Sequence, residues 1–300
     1  MINLTNRQRR VMWAYIFLFV PMLFFLFIRI IPTISAFNIS LHDWNPLAVE
    51  QTFVGLDNYR QLGEDLANPR SVTRKAFVNT IQYVAIGMPI QLLLALGIAL
   101  LLNNINKFST FFRAIYFLPF VTSTVAISWV WRWLYQPQYG FLNVMLSFFN
   151  LGQQPFLKHP NQALYSIVAV VIWQGLGFSI IIFLAGLKQI PQTYYEAAEI
   201  DGASRFQAFR NITIPLLNTT IVYLAVLQTI SFLRMFDYVI NMTTQGDGGP
   251  LSSTTTVTLR IYREAFSSFD MGYASALTVA LFAIILLITI LQLRVFSRND

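Results

Sequence analysis

Six long apolar runs, parted by polar stretches, organise this 300-residue chain. They cover about 11–36, 76–102, 114–135, 162–186, 216–240 and 271–295. A bilayer core about 30 Å thick takes roughly 20 residues of helix, so each run is long enough to cross one. The pattern predicts an all-α polytopic membrane protein, one transmembrane domain over 1–300, with six spans. The longest polar stretch runs from Asn38 to Lys75. Within it Phe53, Leu56, Tyr59 and Leu62 fall at helical spacing and predict an amphipathic surface helix. Between the fourth and fifth runs lies a polar loop, 187–215, which predicts a helix, a turn and a second helix.

Composition agrees with this reading. The chain is 56% hydrophobic and 11% charged, against about 25% charged in soluble domains. A net charge of +7 suggests nucleic acid at first sight, but no basic, aromatic-rich soluble patch remains once the spans are removed. The charges instead orient the chain. Arg7, Arg9, Arg10, Lys107, Arg113, Lys188, Arg205, Arg210, Arg294 and Arg298 lie on the side of the termini. The opposite loops are much longer and hold Arg60, Arg70, Arg74, Lys75, Lys158, Arg260 and Arg263. Short positive loops stay in the cytoplasm, so both termini and the 187–215 loop are expected there. The first run is read as an uncleaved span, being too long for a signal peptide and lacking a small-residue cleavage site. Trp129, Trp131, Trp133 and Tyr135 around Arg132 are expected to form an interfacial belt.

Several chemistries are not expected. There is no cysteine, hence no disulfide framework or thiolate metal site. His42 and His159 are far apart in predicted loops, so no metal centre is expected. No GxxxxGK[ST] occurs, so the chain has no phosphate-cradling loop of its own. No catalytic acid, base or nucleophile set converges, and the chain is not expected to be an enzyme.

The polar loop is the most informative stretch. Tyr194–Ile200 carries helix-compatible residues, Asp201-Gly202 breaks the helix, and Ser204 can cap a second one over Arg205–Asn211. Pro215 stands where the next span can begin. The mid-span polar residues come next, because a polar group in a span must face the bundle or a wet cavity. Gln174 lies near the middle of the fourth run, with Gly175 beside it and Phe178 one turn on. Gln228 lies near the middle of the fifth, with Ser231, Phe232 and Met235 on nearly the same helical face. These uncharged amide, hydroxyl and aromatic groups suit a neutral polyhydroxylated ligand, and would equally serve to join helices. Arg234 and Asp237, one turn apart, are expected to pair. A self-sufficient secondary transporter or channel is the alternative, and it calls for ionisable groups at mid-span.

Glu196-Ala197-Ala198, then Gly202, then Ile212 and Ile214-Pro215 resemble the EAA loop of ABC-importer permeases, with Ile where Leu usually precedes the proline. FVGLDNY, Phe236-Asp237 and the Gly-Gly-Pro at 248–250 resemble further landmarks of the carbohydrate-type members. The resemblance implies a type I ABC importer permease fold, in which Glu196, Ala197, Ala198, Asp201 and Gly202 belong to a cytoplasmic coupling helix. It implies a bacterial inner-membrane subunit that works by alternating access with a second homologous permease, two ATPase subunits and an extracytoplasmic solute-binding protein. ATP and magnesium would be bound by the ATPases, so no cofactor is expected in this chain. In the maltose-type permeases the sugar contacts come from the same two helices, which favours a cavity at Gln174 and Gln228 and a sugar, oligosaccharide, polyol or glycoside as solute. The side chains differ from the maltose permease there, which argues against maltose itself.

Overall fold

The computed structural model describes residues 5–48, 50–103 and 109–296. Lys107 and Arg298, used above to orient the chain, lie outside the described residues. The chain groups into two compact units, 1–64 with 261–280 and 65–260 with 281–300.

In the first unit, helix α1 (Asn6–Ile39) is long and apolar enough to cross a membrane. A capping box at Thr5 and Gln8 starts it, and a π-helical turn over Leu26–Ile30 interrupts it. None of its described side chains is buried, so its apolar surface is left for lipid or another subunit. A short antiparallel hairpin follows, β1 (His42–Trp44) with β2 (Gln51–Phe53), in register His42 to Phe53. Helix α2 (Asp57–Ala67) comes next. The surface helix predicted from Phe53 therefore starts later: Phe53 stands on a strand against the His42 ring, and Leu56 is exposed. Gly55, at φ +60°, turns the chain between strand and helix, which is why the apparent helical spacing does not carry back through it. Asn58 fastens α2 to the hairpin by donating to the carbonyls of Ser40 (2.9 Å) and His42 (3.0 Å).

The second unit is built on helices α3 (Val72–Asn103) and α7 (Pro160–Gln189), which match the second and fourth runs and extend past them. Between them lie α4 (Ser109–Val121), α5 (Thr124–Leu134) and α6 (Phe141–Phe148). The third run is thus two helices, bent by 95°, and not one continuous span. Pro119 sits in the last turn of α4, and Ser123 at ψ 127° redirects the backbone into α5. Trp131 turns inward onto Tyr135 and Trp173, whereas Trp129 and Trp133 stay exposed. Arg132 lies over the Trp129 ring at 5.0 Å.

Beyond α7 come α8 (Gln192–Ile200), α9 (Arg205–Leu216) and α10 (Asn218–Leu233). A 65° bend at Leu217, just after Pro215, separates α9 from α10. Helix α10 ends at Leu233, and α11 (Asp237–Met242) starts afresh after a non-helical Phe236. Arg234 thus follows the end of α10 and Asp237 opens α11, and among the described residues they form no ion pair. The chain closes with α12 (Val257–Phe266) and α13 (Met271–Phe296), the latter matching the sixth run. By length and composition four helices can each cross a membrane, and six crossings result if each bent pair is one span.

Apolar packing in this unit forms two clusters. One joins Tyr83, Ile167, Val171, Phe232, Met235 and Val239, the other Ala95, Ala99, Ile180, Phe183, Leu187 and Leu217. Helix α7 lies in both, and Ser166, Gln174 and Ser179 along it are buried.

Candidate functional site

Two features stand out in the second unit, a mid-span cavity and an exposed elbow. The cavity has a volume of about 280 Å³ and takes its walls from the middle of the helical bundle. Helix α7 contributes Gln174, Gly175 and Phe178, and α10 contributes Gln228 and Ser231. Five of the seven predicted residues are therefore brought together. Phe232 and Met235 are not among them. The Phe232 ring packs against Gly87 of α3, where any side chain would collide with it. Met235 follows the end of α10, so helical spacing no longer applies to it, and it is buried in the apolar core. Gln91 of α3, Phe120 of α4, Thr124 of α5 and Tyr238 of α11 complete the polar and aromatic lining. The mid-span rule that singles out Gln174 also fits Gln91. The other three arrive through the helix breaks and leave no periodic signal.

Hydrogen bonds fix the cavity polar groups. The bend after α4 leaves the Thr122 carbonyl outside the ladder of α5, and Gln174 Nε2 donates to it at 3.0 Å. Tyr238 Oη donates to Gln174 Oε1 at 2.7 Å. Ser179, fully buried, accepts from Gln91 Nε2 (3.3 Å) and from Gln228 Nε2 (3.2 Å). Phe178 stacks on Phe120, with ring centroids 5.1 Å apart, and forms an aromatic wall. Every residue lining the cavity is uncharged. Such a site can exchange hydrogen bonds with hydroxyls and cover an apolar ring face, and it offers no counter-charge to an ion.

The elbow is α8 and the turn after it. Gly202 adopts φ +74°, the left-handed conformation that ends a helix, and the Ala203 N–H donates to the Ala198 carbonyl at 2.9 Å. Ser204 and Gln207 form the capping box that starts α9. Glu196, Ala197, Asp201 and Gly202 are exposed, and Ala198 is half-buried. Ile200, at the end of α8, is 87% exposed, and Phe206, in the first turn of α9, is 69% exposed. The elbow is anchored by the Tyr195 hydroxyl, 2.9 Å from Thr213 Oγ1. Removing that hydroxyl with Tyr195→Phe is expected to cost about 1 kcal/mol locally and to speed tryptic cleavage at Arg205 about fivefold. An unchanged cleavage rate would mean that the hydroxyl pair does not hold the elbow.

Residues 66–299 match the family of binding-protein-dependent transport system inner membrane components. The chain is 35% identical over 277 residues to the probable ABC transporter permease protein YesP of Bacillus subtilis, covering 91% of this chain and 86% of that protein. It is 33% identical over 301 residues to the trehalose/maltose transport system permease protein MalF of Thermococcus litoralis, covering 99% of each. Among solved structures, it resembles a chain of a bacterial ABC transporter involved in the import of the acidic polysaccharide alginate. That likeness has a TM-score of 0.80 at 25% identity, over 97% of this chain and 96% of the other.

Proposed function

The chain belongs to the family of binding-protein-dependent transport system inner membrane components, and from that premise we propose that it is a permease subunit importing a neutral, hydroxyl-rich solute of the carbohydrate class. The observation that carries the solute class is the cavity, with its uncharged amides and stacked aromatic wall at mid-span. The Thermococcus relative, named for trehalose and maltose, supports the same class. The alginate importer takes an acidic polysaccharide, but the cavity of this chain supplies no cation to neutralise one.

The geometry supports coupling through two helices. Gln174 stands 15 residues before the end of α7, about 22 Å along the helix, and α8 follows after Ile190 and Pro191. On the return, α9 leaves the elbow and bends into α10, which carries Gln228. A push on α8 is thus delivered to both polar walls of the cavity by stiff elements. In this reading the elbow faces the cytoplasm and docks on one of two ATPase subunits, which bind ATP and magnesium. A second permease completes the pathway and an extracytoplasmic receptor delivers solute. The cavity opens alternately to each side of a bacterial inner membrane.

Proteoliposomes with the assembled importer are expected to accumulate a neutral saccharide only when ATP and the receptor are both supplied. Solute flux through this chain alone, without ATP, would contradict the proposal and favour a secondary transporter or channel.

A further inference from the structure

We propose that Gln91, on the second span, binds a hydroxyl of the transported solute and so selects among saccharides by their hydroxyl pattern; this rests on the carbohydrate reading above. Gln91 is 1% exposed, yet it lines the cavity. One end of its amide donates to Ser179, and the other, Oε1, is buried without a partner among the described residues. A bare polar atom at this depth is destabilising, so an occupant of the cavity that pairs with it is favoured. A hydroxyl both donates and accepts, so a sugar hydroxyl completes the amide in either orientation.

The surroundings hold Gln91 in place for this task. Gly175 faces it from α7, and any side chain at that position would run into the Gln91 amide. The absence of a Cβ there lets the two helices close around the group. Ser179 accepts from Gln228 as well as from Gln91, so α3, α7 and α10 meet at one hydroxyl. Helix α10 carries the bend that leads to the elbow, and motion of the elbow therefore reaches the partners of Gln91. An ionised solute group in the same place would find no opposite charge among the lining residues, which confines the ligand to neutral hydroxylated compounds.

The test uses cells carrying the complete importer, a panel of neutral mono- and disaccharides, and the monodeoxy analogues of whichever is taken up. Wild type is expected to prefer one parent saccharide over a particular deoxy analogue by about tenfold, the effect of one lost hydrogen bond. Gln91→Met, similar in length and apolar, is expected to remove that preference while receptor affinity stays normal. Gly175→Ala, which displaces the amide without deleting it, should reduce the preference in the same direction. If the parent-to-deoxy ratios are unchanged in Gln91→Met, with saccharide uptake intact, the assignment of Gln91 is overturned and the carbohydrate reading stands. If wild type carries ionised solutes and no neutral saccharide, both are overturned.

Discussion

Glu196→Lys and Gly202→Asp are each expected to reduce uptake by the assembled importer about a hundredfold, the effect of losing one interface hot spot of about 3 kcal/mol. Both positions are exposed on the elbow, and no side-chain contact within this chain depends on Glu196 being acidic among the described residues. A Cβ at Gly202 would meet nothing within 4 Å. The substitution there therefore strains the backbone by about 1–2 kcal/mol at φ +74°, without a clash, and places a charge at the tip of the turn. Insertion into the membrane should be unaffected, and co-purification of the ATPase subunits should fall with uptake. Gly202→Ala separates the two causes, since it keeps the strain and omits the charge. Normal uptake in both charged variants would remove the elbow from the coupling path.

The second large effect is expected at Gln174. Gln174→Ala deletes the donor to the Thr122 carbonyl and the acceptor for the Tyr238 hydroxyl. Each hydrogen bond contributes about 1 kcal/mol, and a buried group left unpaired costs about 1–3 kcal/mol more. Solute uptake should fall at least tenfold, on the order of 1.4 kcal/mol, with ATPase docking retained. Tyr238→Phe loses only one of the two bonds and is expected to have a smaller effect. Should Gln174→Ala transport the same solutes at the same rates, the cavity would be a packing feature rather than a binding site.

The sequence was most legible where a segment is continuous. The second, fourth and sixth apolar runs each form one long helix, because hydropathy reads composition and composition is uniform along them. It was least legible at changes of direction. The third run is as apolar on one side of Thr122-Ser123 as on the other, so hydropathy alone cannot register a 95° bend. Leu217 hides the second bend in the same way. The elbow was legible down to its caps, because Gly202 and Ser204 act through the local backbone. Gln174 and Gln228 were legible because an amide in an apolar run must face something polar. Phe232 and Met235 lie in the core and not in the cavity wall, and apolar side chains fit either place. The choice depended on Gly87 across the interface and on the end of α10 at Leu233, both set by tertiary structure.

On the proposed function, the exposed elbow receives force from an ATPase on the cytoplasmic side. The chain has no cysteine, so a single one introduced at Asp201 can be labelled without background. In sealed inverted vesicles, which expose the cytoplasmic face, a membrane-impermeant maleimide is expected to react with Asp201→Cys rapidly. Bound ATPase subunits are expected to protect it. Labelling from the extracytoplasmic face alone would contradict the account.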